Sequence, residues 1–393
     1  MKILCFTPLP YGDGSGWWGR DLGLTVRAFR QLGHDAQLVC YPTTHSKDPL
    51  DRPVQLITRF QAASKDWWRH QSPDLILLGL WTQSKYNPIR TAALASSARV
   101  IERCDGDGFR LPSCGHRQFW KNTISAQKDV HSRWPLALAA IFGGCKASLF
   151  EIFPWYFESR FATTLAMLPL FLSETPHSTQ SLQSLASRIR SRPSRFQHVP
   201  HPIDENAFSY TGEPKRNTVI AVGRWGSWQK DWPLTRKVLE IFLHRNPDYE
   251  ALVFGSGLPK GSIGERLFSR GICPQEEISK SLREAKILFF ASRYESFLLA
   301  GGEALCSGCT VIGPNTIPSA FYFSEFFDGP TPPERTASTL AAALEAEARA
   351  WSLNRRDPHK ISEAARHQMG SLMVAQKILD LTSVLNSVAQ GKS

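Results

Sequence analysis

The chain has 393 residues, of which 42% are apolar, and a formal net charge of +11. Its length exceeds what one hydrophobic core usually organises, so two domains are expected, and the alternation of strand-like and helix-like runs describes a folded globular protein. The basic excess suits a phosphorylated small molecule or an anionic membrane surface. Nucleic acid is disfavoured as a partner, because the basic residues are dispersed and no zinc-finger or RNA-binding signature occurs.

The first half of the chain alternates strand-like and helix-like runs. Residues 2–8 and 36–40 have strand patterns, and residues 20–32 have helical spacing. The alternation continues with a helix, a strand, a helix and a strand near residues 56–70, 74–80, 88–97 and 99–102. Repeated units of this length predict a parallel, doubly wound α/β sheet, which binds ligands at the carboxyl ends of its strands.

A glycine-rich turn follows the first predicted strand. Gly14 and Gly16 belong to a segment that matches the GxGxxG expression but encloses Trp17 and Trp18. Glycines at such a turn let a ligand approach backbone amides, so Gly14 and Gly16 are candidate ligand contacts. The second predicted strand does not end in an acidic residue that could bind the ribose of a dinucleotide, which disfavours a nicotinamide cofactor. The tryptophans fit a stacking face for a sugar or lipid acceptor as well as they fit a core.

Two carboxylates, Asp105 and Asp107, follow the predicted strand at residues 99–102. This places them at the ligand-binding edge of the sheet. They suit an Asp-x-Asp metal motif and equally a turn that uses Asp and Gly for its backbone. A calcium loop is disfavoured, because His116 stands where the closing Glu would be.

Residues 118–172 are rich in aromatic side chains. They are expected to form helical core, with peripheral docking on a membrane surface as the alternative in a basic protein. The apolar runs in this region are shorter than the roughly 20 residues that a membrane helix needs, so no transmembrane span is predicted. We expect a cytoplasmic protein, with peripheral contact at the inner membrane surface left open.

A proline-rich exit and the polar residues 205–217 mark a domain boundary. The first predicted domain is 1–208 and the second is 209–371, with a helix at about 372–393 that is free to pack back on the first. In the second domain a strand at 218–222 and a helix from 233 enclose a loop with Arg224 and Lys230. Two cations on a carboxyl-end loop can hold a diphosphate without a metal.

Residues 291–315 combine a loop, a predicted helix and a strand. Glu295 falls in the loop and Glu303 on the second turn, if the helix begins near Phe297 with the N–H groups of Phe297 and Leu298 free to bind an anion. Carboxylates beside an anion site favour neutral hydroxyls, so the pattern suggests a sugar nucleotide; two solvated glutamates are the alternative. The mid-helix pair Gly301-Gly302 indicates that something approaches the backbone closely.

The sequence predicts no metal site from its cysteines. Cys306 and Cys309 form a single CxxC, and no second pair exists to complete a zinc site. They fall where small buried residues are expected, and reduced thiols fit a cytoplasmic protein.

These segments have a combined pattern that points to a known family. Gly223-Arg224 with Lys230-Asp231, the run from Ser292 to Phe297, Glu303-Ala304-Leu305 and Gly308 resemble the C-terminal half of retaining GT-B glycosyltransferases of family 4. The glycine-rich first loop and the segment from Val199 to Asp204, with Phe208 beyond it, are similar to the same family. The resemblance implies the GT-B fold, an α/β architecture of two Rossmann-like doubly wound domains facing a central cleft.

The resemblance also implies an activity, the transfer of a sugar from a UDP- or GDP-linked donor to a glycan or lipid-linked acceptor with retention of configuration. No cofactor and no divalent metal are implied. The implied roles are diphosphate binding by Arg224 and Lys230 with the amides of Phe297 and Leu298, sugar binding by Glu295, and ribose binding by Glu303.

Three positions depart from the family pattern. Asp105 or Asp107 stands near the place where a His often contacts the sugar. Leu298 replaces the usual Gly, which is expected to narrow the donor site, and His201-Pro202 replaces an Asn-Gly pair. A non-catalytic sugar-nucleotide-binding or scaffolding protein of the same fold is the alternative to an enzyme.

Overall fold

The computed structural model describes residues 1–11, 18–42, 52–104, 145, 149, 152–189 and 195–390. The chain divides into two compact units. The first unit includes residues 1–104, 155–204 and 368–390 as far as they are described, and the second includes residues 205–367.

In the described part of the first unit, seven strands form one sheet in which every pairing is parallel. The order is β3-β2-β1-β4-β5-β6-β7. Strands are added on one side of β1 and then on the other, so the order reverses between β1 and β4. The strands are β1 (Lys2–Pro10), β2 (Asp35–Tyr41), β3 (Val54–Leu56), β4 (Leu75–Leu78), β5 (Arg99–Arg103), β6 (Leu170–Ser173) and β7 (Arg195–His198).

Helices cover both faces of this sheet. Alternate strand residues are therefore buried on opposite sides. Leu4 and Phe6 belong to one hydrophobic cluster, whereas Ile3 and Cys5 belong to another. The helices are α1 (Leu22–Gln31), α2 (Arg59–Ala62), α3 (Lys65–Gln71), α4 (Asn87–Leu94), α5 (Pro154–Met167) and α6 (Pro176–Arg188).

The helix predicted at residues 56–70 is wrong in its extent. Leu56 lies in β3, and the helical part is split into α2 and α3. The hydroxyl of Ser64 accepts the Trp67 N–H, so a serine that was placed in a helix interior begins a new helix.

The second unit contains a six-stranded sheet in the order β10-β11-β9-β8-β12-β13. Its pairings are parallel except for the antiparallel pair β10–β11, which the sequence pattern missed because β10 has the composition Gly-Ser-Ile-Gly. The order reverses between β8 and β12. The strands are β8 (Arg216–Val222), β9 (Glu250–Phe254), β10 (Gly261–Gly264), β11 (Leu267–Gly271), β12 (Ala285–Phe289) and β13 (Thr310–Ile312).

The helices of the second unit include a short one, at Pro318–Ser324, that no sequence pattern predicted. One of the other helices, predicted to begin at residue 233, begins at Trp232. In chain order the helices are α7 (Trp232–Arg245), α8 (Gln275–Glu284), α9 (Leu299–Cys306), α10 (Pro318–Ser324), α11 (Ala337–Ser352) and α12 (Pro358–Met369).

The C-terminal helix α13 (Ser371–Gln390) belongs to the first unit. It begins at Ser371, close to the predicted start at about residue 372, and is separated from α12, which ends at Met369, by Gly370, which bridges to Ile203. α13 packs against α1 and buries Val374 and Ile378 in the first unit's core. Within the described residues, no helix is both long and apolar enough to cross a bilayer.

Candidate functional site

Two loops of the second unit lie at the point where its strand order reverses. One follows β8 and carries Arg224 and Lys230, and the other follows β12 and carries Glu295. Because β8 and β12 pair in parallel, the two loops leave the same edge of the sheet. A parallel α/β sheet binds its ligands at this edge, next to the reversal.

The loop after β8 is pressed against the loop after β9. Trp225 donates its backbone N–H to Ser256 O at 2.8 Å and its indole N–H to Phe254 O at 2.9 Å. Gly255 has a φ of +116°, and a Cβ there would lie 1.8 Å from Gly223 O. Glycine is therefore required for this approach, which fixes the backbone from which Arg224 projects. Arg224 itself is exposed.

A 3₁₀ turn, Trp228–Lys230, brings Lys230 to the second loop. Gln229 ties the two loops together, since its carbonyl accepts the Arg293 N–H at 2.8 Å and its side-chain amide donates to Tyr294 O at 3.1 Å. The backbone of each loop is thus defined by the other.

Lys230 and Glu295 form an ion pair with 2.5 Å between Nζ and Oε1. Their side chains are 15% and 8% exposed. The other carboxylate oxygen of Glu295 accepts the Gln229 amide at 3.2 Å, so both oxygens have donors. The pair places a group that can bind an anion next to a group that can accept from hydroxyl donors.

Asp231 is a site residue to which the sequence argument gave no role. It is buried, it adopts a left-handed φ of 46°, and its Oδ2 contacts two guanidinium groups, Arg293 at 2.8 Å and Arg335. Arg335 also donates to the carbonyl oxygens of Ala291 and Ser292, at 3.0 and 3.1 Å. Burial lowers the pKa of Arg335, and its contact with Asp231 opposes that shift. Arg335 therefore clamps both loops from a third segment of the chain.

Arg293 lies over the ring of Trp228, with 4.1 Å between its guanidinium carbon and the ring centroid. This stacking and the contact with Asp231 hold the Arg293 cation beside the residue that follows Lys230. Only their spacing in the sequence, within the two loops, could have indicated Arg293 and Asp231; nothing local could have indicated Arg335.

The helix after the second loop begins two residues later than predicted. α9 begins at Leu299, so the N–H groups of Phe297 and Leu298 belong to the loop that precedes it. Leu298 has φ 60° and ψ 76°, and its side chain is buried. A left-handed residue explains why glycine suits this position. Glu303 is half-buried on the helix.

The close approach inferred at the glycine pair involves a side chain of the same unit. A Cβ on Gly301 would lie 2.4 Å from Cε2 of Phe323. Phe323, in α10, packs in turn against Phe297, with 5.4 Å between ring centroids. Gly301 therefore lets α10 pack against the loop that carries Glu295.

The remaining candidate positions differ in what the structure says of them. Gly14, Gly16, Asp105 and Asp107 lie outside the described residues. Of the segment that resembles the family near residue 200, His201 Nδ1 lies 3.2 Å from Asp21, and Asp204 binds Arg27 at 3.0 Å, so these side chains attach the segment to α1 and its N-terminal end.

The two CxxC cysteines are buried thiols. Burial raises the pKa of both Cys306 and Cys309, and the Cys309 thiol donates to Leu282 O at 2.9 Å. In the described part of the chain no three His, Cys, Asp or Glu side chains are grouped to hold a metal ion.

The architecture matches a known fold. HepE of Anabaena, solved with UDP, is 14% identical, with 98% of this chain and 100% of that chain covered and a TM-score of 0.64. Sucrose-phosphate synthase of Thermosynechococcus elongatus is also 14% identical, covering 98% and 99%, with a TM-score of 0.64. α,α-Trehalose 6-phosphate synthase of Burkholderia multivorans is 11% identical, covering 100% and 99%, with a TM-score of 0.63.

The chain has the GT-B fold. No family model and no curated protein matches its sequence. The GT-B assignment therefore rests on the similarity of the two doubly wound sheets to these solved structures. Within this fold, the Lys230–Glu295 pair lies at the strand-order reversal of the C-terminal sheet.

Proposed function

We propose that this protein is a glycosyltransferase that moves a sugar from a nucleotide-diphosphate sugar, UDP- or GDP-linked, to an acceptor hydroxyl. The observation that carries the proposal is the 2.5 Å contact between Lys230 and Glu295 at the strand-order reversal. A diphosphate needs a cation, and the adjoining sugar needs a carboxylate to accept from its hydroxyls. The structures of HepE with UDP and with UDP-glucose support a donor of this class.

Donor binding would separate Lys230 from Glu295 and give each of them a new partner on the donor. A diphosphate oxygen takes the place of Glu295 beside Lys230, and sugar hydroxyls donate to the freed Glu295 carboxylate. Arg224, which is exposed, adds a second cation for the diphosphate, with support from the N–H groups of Phe297 and Leu298. In the same proposal Glu303 accepts from the ribose hydroxyls.

The proposed reaction retains the configuration of the donor sugar, as in family 4. The bond from the anomeric carbon to the diphosphate oxygen breaks, and the acceptor oxygen bonds to the same face of that carbon. The acceptor proton passes to the leaving diphosphate oxygen, whose developing charge Arg224 and Lys230 stabilise. Asp105 or Asp107 is proposed to contact the transferred sugar, and the acceptor is a glycan or a lipid-linked acceptor.

Calorimetric titration with UDP, GDP and ADP, followed by assays of donor hydrolysis and transfer, tests the proposal. Glu295→Gln is expected to lower kcat by about 100-fold or more, because a contact to the reacting sugar is lost. Nucleotide affinity is expected to hold or rise, because the diphosphate no longer has to displace a carboxylate from Lys230. Lys230→Met is expected to weaken nucleotide binding about tenfold or more. The matched control is Glu345→Gln, which removes an exposed ion pair with Arg245 in the same unit. Full activity in Glu295→Gln would exclude the assigned role.

Two other readings give different outcomes in the same experiments. A non-catalytic sugar-nucleotide-binding protein would bind UDP or GDP and turn over no donor. An enzyme that uses a metal at Asp105 and Asp107 would lose activity in excess chelator, whereas the proposed reaction would keep it. Cytoplasmic location and peripheral membrane contact stay predictions.

A further inference from the structure

The turn that follows β4 in the first unit has a backbone that ordinary residues avoid. The Gln83 N–H donates to Leu80 O at 3.2 Å, and the two central residues, Trp81 and Thr82, both have a φ of 53°. Two successive positive φ values are typical of a type I′ turn, which favours Asn-Gly. A bulky tryptophan followed by a β-branched threonine is an unfavourable pair for this backbone.

A fully buried ion pair holds the turn. Arg90 of α4 and Glu102 of β5 are both 0% exposed and are joined by two hydrogen bonds of 2.7 Å. Their remaining contacts go to the turn and the residues after it. Glu102 accepts the Thr82 N–H at 2.7 Å, and Arg90 donates to Gln83 O and Asn87 Oδ1 at 2.8 Å each.

The buried ion pair and the strained turn are better explained by a need to fix the conformation of the turn than by a contribution to folding stability. A buried ion pair contributes little compared with apolar side chains of similar volume, and a left-handed tryptophan and threonine destabilise the turn further. Strained backbone that the surrounding structure holds in place is characteristic of ligand sites. The turn also lies at the carboxyl end of β4, beside the strand-order reversal between β4 and β1.

The turn contributes one aromatic side chain, Trp81, which lies beside Tyr86 of the segment that follows. Trp81 is half-buried, and its ring centroid lies 6.3 Å from that of Tyr86 at an interplanar angle of 53°. The Nζ of Lys85 lies 4.8 Å from the Tyr86 ring centroid. Half-buried aromatic rings with an adjoining polar group suit the face of a saccharide, whose C–H groups pack on the ring while its hydroxyls form hydrogen bonds.

We propose that Trp81 and Tyr86 form the acceptor subsite and that the acceptor presents a sugar ring to them. This proposal rests on the proposed function and deepens it, since it identifies the acceptor class as a saccharide. Arg90 and Glu102 are positioning residues that set the orientation of Trp81 without touching the acceptor.

Glycan binding by Trp81 variants tests the subsite. Trp81→Asn removes the ring and is expected to fold, because asparagine tolerates a left-handed backbone. On an array of immobilised mono- and oligosaccharides, we expect the wild-type protein to bind a defined set and Trp81→Asn and Tyr86→Ala to bind it about tenfold more weakly. Trp81→Phe keeps a stacking surface and is expected to retain most of the binding.

The matched control is Phe60→Asn, which removes an aromatic side chain that is 90% exposed on α2 of the same unit. It is expected to bind the array as the wild type does. Arg90→Lys keeps the charge but has one donor group where the guanidinium uses two nitrogens on Glu102. It is expected to weaken glycan binding while its circular dichroism spectrum and its calorimetric UDP affinity match those of the wild type, a combination that unfolding of the first unit would not produce.

The outcomes separate this proposal from the donor function. Equal glycan binding by wild type and Trp81→Asn, or no glycan bound by the wild type, overturns the subsite even if UDP binds. Glycan binding that depends on Trp81, in a protein that binds neither UDP nor GDP, supports a saccharide site at Trp81 and Tyr86 but overturns the proposed donor function and, with it, the acceptor role of that site.

Discussion

Asp231 contacts two arginine side chains, and no sequence motif indicated either contact. Its carboxylate forms ion pairs with Arg293 and Arg335. Its backbone is left-handed and links the 3₁₀ turn to α7. Because it follows Lys230 directly, any shift of Asp231 moves the lysine that is proposed to bind the diphosphate. The position of one buried carboxylate therefore determines the geometry of two loops.

Asp231→Asn tests this role. Asparagine keeps the left-handed backbone but leaves two partly buried guanidinium groups without their carboxylate, so we expect unfolding free energy to fall by about 2–4 kcal/mol. Urea denaturation measures the change. Glu345→Gln breaks an ion pair whose side chains are 58% and 28% exposed, and we expect it to cost less than about 1 kcal/mol. Equal effects in the two variants would contradict the role.

At the scale of elements, the packing of α10 against α9 positions the loop with Glu295. The ring of Phe323 occupies the space that a Cβ at position 301 would need. The ring of Phe323 also touches Phe297, two residues after Glu295. A glycine in a helix, whose usual effect is destabilising, is here required by the neighbouring helix.

Gly301→Ala measures that requirement. Alanine gains about 1 kcal/mol of helix propensity, but the clash with Phe323 is expected to exceed it and lower the unfolding free energy by about 1–3 kcal/mol. A double-mutant cycle with Phe323→Leu, followed by chemical denaturation, isolates the clash, because the smaller side chain should restore part of the loss. Additive effects would show that the two residues are not coupled.

At the scale of the whole molecule, the chain leaves the first unit after Asp204 and returns to it with α13. The returning helix brings Lys377 near His198 at the end of β7. Burial, with a smaller contribution from Lys377, lowers the pKa of His198 to about 4, while the contact with Glu174 O opposes the shift. The returning segment thus favours a neutral histidine in the folded first unit.

The pH dependence of stability follows from the depressed pKa of His198. The folded-state pKa lies near 4, below the ordinary histidine pKa of 6.5, so the stabilisation is fully present above pH 6.5 and is lost as pH falls towards 4. The loss attributable to this histidine is about 2–3 kcal/mol. Denaturation at pH 7 and pH 4.5 measures it: His198→Gln should lose less stability between these values than the wild type, whereas His70→Gln, an exposed control in the same unit, should behave as the wild type does.

Much of the fold could be predicted, because the period and length of apolar runs are local properties. Strands such as β8, β12 and β13 are short, continuous and buried, and helices such as α11 have a 3.6-residue period. The start of α9 and the two helices at residues 59–71 were less accessible. Their boundaries depend on a left-handed Leu298 and on the cap at Ser64, where the local sequence also permits helix.

The sequence by itself determined the alternating α/β elements and hence the loops that carry Arg224, Lys230 and Glu295, since a strand pattern fixes which residues follow its carboxyl end. Only the tertiary structure decided which side chains meet. Lys230 and Glu295 are 65 residues apart, and Asp231 and Arg335 are 104 apart. Local periodicity contains no information about pairing at such separations. The contacts follow from the strand order of the sheet and the packing of helices across it, which the whole chain decides together.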